Sequence, residues 1–89
     1  MDLVDIYAEL AEMLIELGID RASIAPEARL RADLDLDSTD LVAIGMAVEE
    51  HMPFPVDTAC FPALETVAEM AALVEEARQF ADGRGARAR

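Results

Sequence analysis

Lysine and tryptophan do not occur in this 89-residue chain, and cysteine, histidine and tyrosine occur once each. A single thiol, Cys60, excludes an internal disulfide and leaves no ligand cluster for a structural zinc. Its expected place is that of a small apolar side chain in or near the core. No apolar run reaches the ~18–20 residues that a membrane span requires. The first residues, Met1-Asp2-Leu3-Val4-Asp5, are acidic where a secretory signal would be basic. A soluble cytoplasmic protein is expected. Basic residues are scarce too, with seven arginines against nineteen acids and a net charge of −12. Arg84, Arg87 and Arg89 fall in the last six residues, so the body of the chain is more acidic than the total suggests. Such a surface repels phosphate backbones, which excludes nucleic acid as a partner. It attracts basic protein surfaces and speeds encounter with them.

What is present builds a single domain. Hydrophobic residues make up 54% of the chain, enough to form one core at this length. Leu3, Tyr7, Leu10, Leu14 and Leu17 recur at helical spacing, with Val4, Ala11 and Ile15 widening the stripe. Asp2 suits the N-cap of this helix and Asp5 its first turn. Gly18 suits the position just past its end, with Ile19 supplying the accompanying apolar contact. Residues 19–36 show no period. Ile19, Ile24, Leu30, Leu34 and Leu36 are scattered apolar anchors around Pro26, as in a long loop pinned over a core.

A second helix is predicted from Ser38 to His51. Asp37 is its N-cap, and Asp40 at the third helical position gives a partial capping box. Leu41, Ile44 and Val48 form its apolar face, with Val42 and Met46 beside it. Gly45 costs ~1 kcal/mol relative to alanine inside a helix, which implies a close neighbour there. Pro53 and Pro55 end the element. Asp57 to Phe61 reads as one short helical turn, capped by Asp57 and stopped by Pro62. The last helix opens on Thr66-Val67-Ala68-Glu69, a T-x-x-E capping box. Its stripe is Val67, Met70, Ala71, Leu73, Val74, Ala77 and Phe80. After Asp82 the chain becomes Gly-Arg-Gly-Ala-Arg-Ala-Arg, which reads as a frayed tail. The predicted fold class is all-α: a small four-helix bundle of three main helices and one short one, with a long loop between the first two.

The stretch Leu34-Asp35-Leu36-Asp37-Ser38-Thr39-Asp40-Leu41 holds the chemistry. Serine favours helix caps and first turns, so Ser38 alone proves nothing. Asp37 already accounts for the cap, however, and the end of a long loop exposes the hydroxyl. No histidine neighbours Ser38 to serve as its base. His51 lies about 20 Å away by helical rise, and its expected role is that of a solvated residue near the helix-end carbonyls. Ser38 is therefore poorly equipped as an enzyme nucleophile, and no catalytic or metal-binding residue is assigned. Asp33-x-Asp35-x-Asp37 imitates the start of an EF-hand. Counted from Asp33, the sixth position is Ser38 where glycine belongs, and the twelfth is Ile44 where a bidentate glutamate belongs. A calcium-binding domain and an unmodified acidic interaction module remain as alternatives.

The pattern resembles the acyl and peptidyl carrier family, whose signature is Asp-Ser-Leu at the head of the second helix. Asp37-Ser38 matches that signature. Leu30 and Leu34 upstream, and Val42, Met46, Ala47, Glu49 and Glu50 downstream, fall where similar residues usually occur. Pro55-Val56-Asp57 and Thr66-Val67 look like the start of the family's third and fourth helices. The resemblance covers roughly residues 3–80. It implies a carrier domain over residues 1–81, a flexible basic tail over 82–89, and no catalysis by the chain itself. A phosphopantetheinyl transferase would move a 4'-phosphopantetheine arm from coenzyme A to Ser38, with Asp37 beside it. The arm's thiol would carry acyl groups as thioesters. Asp35, Thr39, Asp40, Val42, Met46, Glu49 and Glu50 would face partners with basic docking surfaces, such as acyl-loading enzymes and ketosynthases.

Two positions depart from the family pattern. Thr39 replaces the usual leucine, and Ala43 stands where many fatty-acid carriers have an acid. A specialised partner set is implied. The acidity and the Met1 start point to a freestanding monomer, neither membrane- nor nucleic-acid-bound. Its cargo is expected to belong to polyketide, fatty-acid or related secondary metabolism, with an aminoacyl or peptidyl cargo as the alternative.

Overall fold

The computed structural model describes the backbone of residues 3–87 and the side chains of residues 6–81. Three α-helices carry the fold: α1 (Leu3–Glu16), α2 (Ser38–His51) and α3 (Val67–Arg87). Two 3-10 turns, Arg21–Ser23 and Phe61–Ala63, lie in the connections. The fold is all-α, and the described residues contain no strand, only an isolated bridge between Arg29 and Thr66. No helix among them is long and apolar enough to cross a membrane.

Helix α1 buries Ile6, Leu10, Met13 and Leu14, the i, i+4, i+7, i+8 set of a core-facing stripe. The buried face is thus rotated from the predicted one. Tyr7 is only half-buried, and Leu17, one residue past the helix, is 52% exposed. The Asp2 cap and the roles given to the Leu3, Val4 and Asp5 side chains lie outside the described residues. The end of α1 follows the sequence closely. Gly18 adopts φ +105°, and the Ile19 N–H donates to the Leu14 carbonyl (3.0 Å) while the Gly18 N–H donates to that of Ile15 (3.0 Å). This pair of bonds is a Schellman motif, which turns the chain without stranding the last carbonyls.

Residues 17–37 stay on the bundle because apolar side chains and backbone bonds hold them there. Leu30 and Leu34 are buried, and Ile19, Ile24 and Leu36 pack against the core, as expected; Ala28 joins them. The Leu30 N–H donates to the Glu65 carbonyl (2.7 Å), the Val67 N–H to that of Ala28 (3.1 Å) and the Ala68 N–H to that of Pro26 (2.8 Å). These bonds stitch the loop to the head of α3. They also satisfy N–H groups that the first turn of a helix cannot satisfy internally.

The short turn before α3 differs from the expectation of a helix at Asp57–Phe61. The Asp57 carboxylate accepts from the Ala59 N–H (3.1 Å), and the helical bonds begin later, at Phe61–Ala63. Pro62 lies inside that turn and does not stop it. An N–H in the first turn has no helical partner, so a proline there loses nothing. Phe61 is fully buried, while its neighbour Cys60 is exposed. The expectation of Cys60 in or near the core is therefore corrected: Phe61 fills the interior position.

On α3, Val67, Met70, Ala71 and Val74 are buried, Leu73 and Ala77 are partly so, and Phe80 is 62% exposed. The capping box is also shifted. The Glu69 N–H donates to Thr66 Oγ1 (3.1 Å) as predicted, but the Glu69 carboxylate reaches past Thr66 to the Glu65 N–H (2.7 Å). The backbone of α3 continues beyond the apolar stripe to Arg87. Glu75 is the one buried acid among the described residues, and its carboxylate accepts from Arg78 Nε (3.0 Å) and Gln79 Nε2 (3.0 Å). The Arg78 bonds hold its pKa below the ordinary value against the opposing effect of burial, with Gln79 assisting.

Candidate functional site

Ser38 is the first residue of α2 and is exposed. Asp37, in extended backbone, accepts the Asp40 N–H on its side chain (2.9 Å), and the Asp40 carboxylate accepts the Asp37 N–H (3.0 Å). The capping box predicted as partial is complete. Aspartate at the third position reaches back as glutamate commonly does. The Asp40 N–H is the main reason that the Asp37 carboxyl is held below its ordinary pKa; the Thr39 N–H and the nearby Arg31 charge add to it, against desolvation. With the cap supplied by its neighbour, the Ser38 side chain is free of that duty.

The hydroxyl is nevertheless held. Arg31 Nη2 donates to Ser38 Oγ (3.1 Å) and to the Pro62 carbonyl oxygen (2.7 Å). One guanidinium thus ties together the loop, the head of α2 and the 3-10 turn. Sequence reading missed this residue. Burial of Leu30 makes Arg29 and Arg31 point outward, but only the stitching of the loop to α3 sets which way.

The remaining predicted residues fall into two groups. Thr39, Val42, Met46 and Glu50 share the solvent face of α2, with Val42 50% and Met46 59% exposed. Leu41, Ile44, Gly45 and Val48 form its buried face. Asp40 and Glu49 are exposed too, but each has an internal partner: Asp40 closes the cap, and Glu49 accepts the Thr58 hydroxyl (2.6 Å). Asp35 is exposed at φ +59°, a left-handed conformation that aspartate tolerates better than most residues. Gly45 has the close neighbour its presence implied. A Cβ built there would lie 2.9 Å from Thr58 Cβ.

His51 sits at the opposite end of α2 from Ser38, with Nε2 3.5 Å from Glu9 Oε1 on α1. It bridges two helices at the surface, far from the serine. Two of the acids in the Asp33-x-Asp35-x-Asp37 run are engaged by backbone N–H groups. The Asp33 carboxylate accepts the Arg29 N–H (2.8 Å) and Asp37 caps α2. Among the described residues, no group of three or more His, Cys, Asp or Glu side chains could hold a metal ion.

A family model described as a phosphopantetheine attachment site matches residues 8–74, from the second turn of α1 to the middle of α3. Among curated proteins, an acyl carrier protein of Saccharopolyspora erythraea is 38% identical over 68 residues, covering 75% of this chain and 72% of its own. One of Thermotoga maritima is 32% identical over 73 residues, covering 81% and 90% respectively.

The chain belongs to the acyl carrier protein family.

Members of this family are carriers and not catalysts, and their prosthetic group is phosphopantetheine. The family match gives the exposed hydroxyl a chemical context that capping alone did not. Within the matched span, Ser38 is an exposed residue at the head of α2. The unmodified interaction module, which composition alone left open, is superseded by the family match.

Proposed function

We propose that Ser38 is the residue to which this acyl carrier protein's 4'-phosphopantetheine arm is joined. One observation carries the reading: within the matched span, Ser38 is an exposed hydroxyl at the head of a helix already capped by Asp37. The arm, when attached, supplies a thiol that holds acyl groups as thioesters. The protein's own residues do the rest. Asp37 and Asp40 fix the first turn of α2, so the attachment atom projects from a rigid base. A tether rooted there presents cargo to successive enzymes at high effective concentration without tight binding.

The solvent face of α2, with the acids around it, serves as the docking surface. Val42 and Met46 give it an apolar centre, Thr39 shapes its upper edge, and Asp35, Asp40, Glu49 and Glu50 provide the negative rim. Its partners are a phosphopantetheinyl transferase and acyl-loading, ketosynthase or other acyl-transfer enzymes with basic surfaces. The cargo belongs to polyketide, fatty-acid or related metabolism in the cytoplasm, and the carrier acts as a monomer. The carrier domain spans residues 1–81, with residues 82–89 as a basic extension. The 17–37 connection acts as the family's long loop, and the Asp57–Ala63 segment replaces its short helix.

The test is incubation with coenzyme A and a promiscuous phosphopantetheinyl transferase, followed by intact-mass measurement. Wild type gains one phosphopantetheine and Ser38→Ala gains none. An unchanged wild-type mass overturns the reading, as does a gain that persists in the variant.

A further inference from the structure

Arg31 is placed unusually for an arginine in a chain of net charge −12. Among the described residues it forms no ion pair. Its guanidinium is spent on two neutral oxygens, Ser38 Oγ at 3.1 Å and the Pro62 carbonyl at 2.7 Å. The nearby Asp37 feels its charge, but that carboxylate is engaged by the Asp40 N–H. Arg21 and Arg78 pair with Glu12 and Glu75, whereas Arg29, like Arg31, has no ion pair among the described residues; only Arg31 reaches Ser38. A guanidinium has five N–H donors, so Arg31 can keep Pro62 and still take another acceptor. It is exposed and lines an open hollow of about 440 Å³ with Arg29, Ala32, Ala63, Leu64 and Glu65.

The charges around Ser38 supply the reason for such an arrangement. Asp35, Asp37 and Asp40 all lie within three residues of it. An anion fixed to the serine oxygen would meet a repulsive field from these carboxylates. A phosphodiester formed at Oγ has its charged oxygens two covalent bonds from that atom. These oxygens are stronger acceptors for a guanidinium than the hydroxyl they succeed, because charge-assisted bonds are shorter and about twice as strong as neutral ones.

We propose that Arg31 is the phosphate-binding residue of the modified carrier: anchored by the Pro62 carbonyl, it exchanges its bond to Ser38 Oγ for one to the phosphodiester, and so holds the root of the arm against the acidic surface. The proposal rests on Ser38 being the attachment site. It makes attachment neutral or stabilising in wild type and destabilising when the guanidinium is absent.

The experiment compares unmodified and modified forms of wild type, Arg31→Lys and Arg31→Gln, each checked by intact mass. Thermal unfolding at low ionic strength is measured with each variant's own unmodified form as reference, which cancels any purely structural cost of the substitution. Wild type holds or raises its melting temperature on modification, whereas Arg31→Gln falls. The two changes differ by at least about 4 °C, the shift that one modest interaction produces in a domain of this size. High salt shrinks the difference. Arg31→Lys, which keeps the charge but loses the planar fork, falls between. The phosphorus-31 resonance of the modified wild type is displaced from that of Arg31→Gln, and the Arg31 Nε–H signal moves on modification. Equal melting changes in the three proteins, with coincident phosphorus resonances, overturn this inference while leaving Ser38 as the attachment site. If Arg31→Gln does not fold, the two resonance measurements on wild type and Arg31→Lys decide. A mass gain in Ser38→Ala overturns the functional reading itself.

Discussion

Replacing Gly45 by alanine sets two effects of known sign against each other. Alanine in a helix interior is favoured over glycine by about 1 kcal/mol. The added Cβ, however, would lie 2.9 Å from Thr58 Cβ, 3.0 Å from Thr58 Oγ1 and 3.5 Å from Phe61 Cδ2. Carbon atoms pack best at about 3.5–4.0 Å, so Thr58 would have to retreat by roughly half an ångström or more. It is poorly placed to do so. Its hydroxyl donates to Glu49 (2.6 Å), and its carbonyl accepts the Phe61 N–H (3.0 Å) at the start of the 3-10 turn. Overpacking of this kind costs about 1–3 kcal/mol. The net expectation is a loss of about 1 kcal/mol, or about 4–8 °C in melting temperature for a domain of this size. Urea unfolding of a double-mutant cycle separates the terms. In a Thr58→Gly background the clash is gone, and Gly45→Ala should then stabilise by the propensity gain alone. Stabilisation of the wild-type background by that same amount would refute the reasoning, since it would mean that the close approach has no cost.

Other expectations follow from single side chains. Gly18→Ala places a side chain at φ +105° and should cost at least the ~1–2 kcal/mol of a left-handed residue, read from urea midpoints. Asp37→Ala removes the α2 cap and should cost about 1 kcal/mol, with Asp37→Asn milder because asparagine caps equally well. Asp37 and Glu75 have folded pKa values below their ordinary ones, so their contribution is present above the usual carboxylate range and is lost as pH falls through the lowered values. Urea midpoints between about pH 6 and pH 3 should therefore fall less in Glu75→Gln than in wild type; equal falls would contradict the assignment. Cys60 should react readily with a maleimide in the folded protein; a thiol that reacts only after unfolding in urea would restore it to the core.

Local signals with one stereochemical solution were legible in the sequence. Gly18 followed by Ile19 admits the Schellman turn that is found, and Asp37 three residues before Asp40 admits the reciprocal cap. The glycine inside α2 implied a close neighbour, although the sequence could not name Thr58. Choices between neighbouring residues were less legible. Leu17 and Tyr7 fit a helical stripe as well as Ile6 and Met13 do, and the packing of α1 against α3 decides between them. Cys60 and Phe61 compete for one interior position, which the larger ring takes. The site divides in the same way. Ser38, its cap and the exposed apolar pair Val42 and Met46 follow from helix periodicity. Arg31 does not, because its approach to Ser38 depends on backbone bonds between residues 26–30 and 65–68, far apart in sequence.

The central claim is the identity of one oxygen atom. The chain has no lysine, so trypsin cleavage after Arg31 and Arg78 releases a single peptide, residues 32–78, containing Ser38, Thr39, Thr58 and Thr66. Tandem mass spectrometry of that peptide from the transferase-treated protein should place phosphopantetheine on Ser38. Placement on a threonine, or on Ser23 in another peptide, would contradict the account.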